Sequence, residues 1–109
     1  MRALESLIFT KTIAEGTAIK KPIRLPKIID ILKKTRGGGL AVTEEEILKA
    51  TLELSKNGFF VEPTCASAAV GLEKLRAKNL VRSDEVTVVV LTGSGLKSSD
   101  FFTENVELQ

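Results

Sequence analysis

The chain has 109 residues, of which 43% are hydrophobic and 28% charged, the balance of one globular domain spanning residues 1–109. Sixteen Lys and Arg against fourteen Asp and Glu leave a net charge of +2. The basic residues are dispersed, which excludes the basic stripe of a nucleic-acid binder. The complete absence of histidine excludes Ser-His-Asp and Cys-His catalysis, His-liganded zinc and His-based proton shuttling.

Cys65, the single cysteine, has no internal disulfide partner, which points to a reducing, cytoplasmic setting. No charged-then-apolar leader layout is visible at the N-terminus. The longest purely apolar run, Val88-Val89-Val90-Leu91, is too short to cross a bilayer, so no membrane partner is expected.

Residues 1–9 read as a short amphipathic helix with Leu4, Leu7 and Ile8 on one side. Residues 12–19 read as a short strand interrupted at Gly16. Pro26 suits the start of a helix carrying Leu25, Ile28, Ile29 and Leu32, with Lys33, Lys34 and Arg36 at its end and Gly37-Gly38-Gly39 closing it. Leu40-Ala41-Val42 is a brief strand. Thr43-Glu44-Glu45-Glu46 has the form of a capping box opening a second helix that stops at Asn57-Gly58.

Phe59-Phe60-Val61 is a short apolar strand leading through Glu62-Pro63 into the small-residue segment Thr64-Cys65-Ala66-Ser67-Ala68-Ala69, which opens a third helix ending near Lys78. Residues 86–91 form the strongest strand pattern, β-branched and nearly free of polar residues, as in strands buried on both faces. It ends at Thr92-Gly93-Ser94-Gly95, and residues 98–109 are a largely polar tail. Helix and strand alternate, so the expected class is α/β: a three-layer fragment with a short, mainly parallel sheet and helices packed on it.

In such sheets ligands gather at the carboxyl ends of the strands, here Glu62-Pro63-Thr64 and Thr92-Gly93-Ser94-Gly95. The second segment offers two hydroxyls and a close-approaching backbone, suited to a flat ligand or an anion, though on spacing alone a tight exit turn is the favoured reading. Glu62 lies between apolar residues and an alanine-lined helix, where an unpaired carboxylate is costly; a solvated residue at a strand exit is the other reading. Cys65 is near a helix start, an environment that can activate a thiol; without a histidine partner and among small residues, packing is the favoured role. Gly37-Gly38-Gly39 follows a helix, the wrong order for a phosphate cradle, and reads as a helix end. No catalytic residue and no metal ligand set is identified.

From about Thr12 to Lys97 the chain resembles the C-terminal part of threonine synthase, of the pyridoxal-phosphate fold type II, tryptophan-synthase-beta-like class. The carrying segments are Thr12-Ile13-Ala14-Glu15-Gly16-Thr17-Ala18-Ile19, Glu62-Pro63-Thr64-Cys65-Ala66-Ser67-Ala68-Ala69 and Val90-Leu91-Thr92-Gly93-Ser94-Gly95-Leu96-Lys97. The first is shared with dehydratases and racemases of that fold type; the other two look like threonine synthase.

The resemblance implies a pyridoxal phosphate site. Thr92, followed by Gly93, matches the position whose hydroxyl meets the pyridine nitrogen, Glu62 matches an acid near the ring, and Glu15-Gly16 matches a loop close to it. The whole enzyme would convert O-phosphohomoserine and water to threonine and phosphate. The family's Schiff-base lysine and glycine-rich phosphate loop lie upstream of everything matched. The isolated chain is therefore expected to be inactive and to bind no cofactor tightly. A missing N-terminal enzyme part or a second copy is the expected partner. The other reading is a non-catalytic module that associates or binds a small ligand.

Overall fold

In the computed structural model, which describes residues 10–106, a helical hairpin is the most densely packed part. Its first helix, α2 (Glu44–Lys56), starts at a capping box: Thr43 Oγ1 accepts the Glu46 N–H at 3.2 Å, and Glu46 Oε2 accepts the Thr43 N–H at 2.7 Å. Two otherwise unpaired amides are satisfied at once, and three acids stand in the positive first turn. The helix stops at Asn57, and Gly58 follows at φ 88°, a conformation that favours glycine.

The second helix of the hairpin, α3 (Pro63–Ala77), begins on a proline, whose missing N–H costs nothing there. Small residues bring the two helices together. Ala66 is fully buried and clusters with Ala50 and Val70, with Val42 and Leu54 closing the sides. Lys74 near the end of α3 donates to the Ala41 carbonyl at 2.9 Å and pairs with Glu46 at 2.7 Å, which ties that end of α3 to the start of α2.

An earlier helix, α1 (Leu25–Thr35), carries proline in its first turn, as expected. Its left-handed cap is Arg36 at φ 53°, not a glycine, and the Gly37 N–H then returns to the Leu32 carbonyl at 2.8 Å. None of its residues is buried, and Ile28, Ile29 and Ile31 are exposed. The last helix, α4 (Ser99–Asn105), follows a 3-10 turn over Gly95–Ser98 in what reads as a polar tail. Phe102 explains it: the ring is buried 4.6 Å from Phe60, with Phe101 edge-on at 5.2 Å. The expected helix over residues 1–9 lies outside the described residues.

The expected mainly parallel sheet is not formed. Among the described residues the β-structure is one isolated antiparallel bridge, Val61 to Ser94, and everything regular is helical. Residues 12–19 contain a 3-10 turn at Glu15–Thr17 in place of a strand. Residues 40–42 and 86–91 carry no regular secondary structure and no strand partners. A strand exists only by pairing with a neighbour, and these apolar segments form no hydrogen-bonded ladder. Val86, Val88 and Val90 are consequently 96%, 80% and 67% exposed. The radius of gyration, 15.6 Å, exceeds the roughly 13 Å of a compact chain of about 100 residues.

Replacing Thr43 by Ala removes the cap and is expected to cost about 1 kcal/mol, read by urea or thermal unfolding. Lys74, first, and the Thr43 amide hold the Glu46 carboxyl below its ordinary range. Its stabilising contribution is therefore full above the ordinary glutamate value of about 4.3 and is lost as pH falls through the lowered value. The stability gap between the native chain and Glu46→Gln should narrow as pH drops below about 4; a gap constant from pH 7 to pH 2 would contradict this.

Candidate functional site

The start of α3 is where most of the singled-out residues meet. Glu62 is the extended cap residue, and its carbonyl accepts the Cys65 and Ala66 amides at 2.9 and 3.2 Å. This places Cys65 on the first turn, buried, with its sulfur facing the segment after residue 91. The sulfur accepts the Thr92 N–H at 3.2 Å and the Gly93 N–H at 2.8 Å, and lies 3.3 Å from Thr92 Oγ1. The Cys65 thiol is also within donating reach of Glu62 Oε1, at 3.8 Å.

The antiparallel bridge holds the two segments in register: Glu62 N–H donates to the Gly93 carbonyl at 3.1 Å, and Gly95 N–H donates to the Phe60 carbonyl at 3.0 Å. Both glycines stand in close approach to side chains. A Cβ on Gly93 would overlap the Glu62 carboxyl group, and one on Gly95 would stand 2.9 Å from the rings of Phe60 and Phe102. Glu62-Pro63-Thr64 and Thr92-Gly93-Ser94-Gly95 therefore lie against each other, joined by a single bridge and one sulfur instead of a sheet.

Gly16 reaches the same turn from the other side. Its N–H donates to Thr64 Oγ1 at 3.0 Å, and a Cβ there would stand 2.9 Å from Thr64 Cγ2. Glu15, by contrast, is exposed and lines a groove of about 570 Å³ with Glu44, Lys97 and Asp100. Thr92, Gly93 and Glu62 are not part of that groove. Thus Gly16, Glu62, Thr92 and Gly93 converge on the first turn of α3, and the Glu15 side chain stands apart.

Two organising residues escape the sequence pattern. Cys65 reads as packing because nothing in a lone cysteine's spacing reports what its sulfur accepts. Glu44 reads as part of a cap, yet Oε1 accepts the Thr12 hydroxyl at 2.6 Å and Oε2 the Ile13 N–H at 2.8 Å, fastening the segment before Gly16 to the start of α2.

Of the main-chain donors along residues 92–96, four are already engaged within the chain. The N–H groups of Thr92 and Gly93 go to sulfur, that of Gly95 to Phe60, and that of Leu96 to Ser94 Oγ. No cluster of three or more potential metal ligands occurs among the described residues. No helix among them is long and apolar enough to cross a membrane. On another face, Leu40, Val42, Leu72, Leu75, Val88 and Val90 contribute to an apolar groove of about 620 Å³.

The family model described as "Pyridoxal-phosphate dependent enzyme" matches residues 2–93. Threonine synthase of Methanocaldococcus jannaschii is 42% identical over 91 residues, covering 83% of this chain and 22% of the relative. Threonine synthase 2, chloroplastic, of Arabidopsis thaliana is 32% identical over 100 residues, with 88% and 19% covered. Threonine synthase of Mycobacterium leprae is 34% identical over 97 residues, with 88% and 27% covered. The chain thus spans about a fifth to a quarter of the length of these relatives. No solved structure matches it significantly.

Gly93→Ala should force apart the Glu62 carboxyl and residues 92–93, at a cost of about 1–3 kcal/mol in unfolding free energy. The Gly93 amide resonance should move with it. A variant as stable as the native chain would show that the close approach is not required.

Proposed function

The chain belongs to the family of pyridoxal-phosphate dependent enzymes, and we propose that it supplies one wall of the cofactor site of a threonine-synthase-type enzyme. The carrying observation is the convergence at the start of α3, where Cys65 holds Thr92 and Gly93 beside Glu62. The residues fit a flat ring. Gly93 brings backbone to the Glu62 carboxyl at a distance no side chain permits. Thr92 is exposed, and beyond its contact with Cys65 it keeps hydroxyl valence for a ligand.

In this reading the Thr92 hydroxyl meets the pyridine nitrogen. Being neutral, it orients the ring without holding it as a pyridinium. Gly93 lets the main chain pass close to the ring edge, Glu62 places a carboxylate beside it, and Glu15-Gly16 forms the adjoining loop, held through Thr64. Pyridoxal phosphate, when bound, supplies an electron sink for charge developing on an amino-acid substrate. The whole enzyme would take O-phosphohomoserine and water to threonine and phosphate.

The segments carrying the resemblance contain neither the family's cofactor-bearing lysine nor its phosphate loop, so this chain by itself is expected to lack turnover and to bind cofactor weakly. Purified chain should release no phosphate from O-phosphohomoserine above the uncatalysed rate; catalytic release would overturn this. Titration with pyridoxal phosphate should give a saturable visible-band change that Thr92→Ala removes. A change indifferent to Thr92 would sink its assignment to the ring nitrogen.

A second reading, a non-catalytic module that associates, is favoured by the exposure of Val86, Val88 and Val90 beside the apolar groove. Burial of those side chains against a second copy or a further enzyme part would satisfy both readings. Sedimentation should find at least a dimer; a clean monomer at micromolar concentration counts against self-association.

A further inference from the structure

We propose that Cys65 is a positioning residue, its thiol hydrogen donated to Thr92 Oγ1 so that the Thr92 hydroxyl hydrogen is free to point outward to an acceptor atom of the ligand. The proposal rests on the reading of Thr92 as the partner of the ring nitrogen and adds what sets the direction of that hydrogen bond.

The count of hydrogens carries it. A thiol has two lone pairs and one hydrogen. The amides of Thr92 and Gly93, at 3.2 and 2.8 Å, are donors only and take both lone pairs. The sulfur's remaining valence is its S–H, which therefore needs an acceptor. Thr92 Oγ1 at 3.3 Å is nearer than Glu62 Oε1 at 3.8 Å, and no other side-chain oxygen is recorded against the sulfur among the described residues.

Were the Thr92 hydroxyl the donor instead, the sulfur would face three donors with two lone pairs. Receiving the thiol hydrogen, Oγ1 instead keeps its own hydrogen for something outside the protein. Thr92 is exposed and Cys65 is 4% exposed, so only the hydroxyl has room to meet a ligand. A hydroxyl held as a donor selects an unprotonated ring nitrogen and rejects a ring whose nitrogen carries a hydrogen or is replaced by C–H.

The chain contains one cysteine, so its S–H stretching band in Raman or infrared spectra belongs to Cys65 alone. The 109-residue chain should show a band displaced to the hydrogen-bonded side, Thr92→Val should move it towards a free thiol, and Glu62→Ala should leave it in place. The opposite response of the two variants, or no S–H band at all, overturns the proposal.

Pyridoxine phosphate, which keeps the ring and the phosphate but has no aldehyde to react with surface lysines, serves as the ligand in amide-resonance titrations. Cys65→Ala should weaken its binding by up to about tenfold, the loss of one modest hydrogen bond. Cys65→Ser, able to donate and accept at the same place, should restore most of it and serves also if Cys65→Ala fails to fold.

The two readings fail differently. Binding indifferent to Thr92→Val with the S–H band still responding to it sinks the ring-nitrogen role and, with it, the positioning role, while leaving the thiol-to-hydroxyl bond. Binding that needs Thr92 but is unchanged in Cys65→Ala sinks the positioning role alone.

Discussion

The close approach of α2 and α3 at Ala50 and Ala66 is the constraint from which the rest follows. Two methyl-sized side chains at the contact let the helices approach closely, and Ala66 is fully buried there. Because Ala66 directly follows Cys65, the same contact sets where the sulfur stands. The capping box of α2 and the Lys74 bonds to Ala41 and Glu46 fix the other end of the hairpin. What lies outside this frame has little of its own to pack on, as the exposed isoleucines of α1 show.

Elements governed by local rules were legible. The Thr43-to-Glu46 cap, the proline starts of α1 and α3 and the stop at Asn57-Gly58 depend on residues a few positions apart, and all appear where the pattern puts them. The sheet was not legible, because strand pairing is a property of two segments and β-branched composition describes one. Residues 86–91 have the composition of a buried strand and none of its neighbours. The α4 helix shows the reverse case: a polar stretch becomes helical because Phe102 finds Phe60 across the fold.

For the candidate site, the two segments do lie together, but the reason expected for their meeting, neighbouring parallel strands, is overturned. Carboxyl ends of parallel strands would bring residues 62–64 and 92–95 together as a by-product of a sheet. Instead one antiparallel bridge and a sulfur accepting two amides perform that task. Side-chain acceptors for main-chain donors carry no periodicity, so neither Cys65 nor Glu44 could be distinguished from packing and capping by position. Membership of the pyridoxal-phosphate dependent enzyme family gives those contacts a context that local pattern does not supply.

The span between Cys65 and Thr92 has a thermodynamic consequence. Joining residues 27 positions apart costs chain entropy of about 3 kcal/mol beyond a constant, from the logarithmic dependence on loop length. The hairpin of α2 and α3 closes a much shorter loop and is assembled from neighbours in sequence, which favours its early formation. The first turn of α3 is then already in place when residues 92–93 arrive. By that ordering the segment at residues 92–93 would dock after the hairpin and could open without unfolding it.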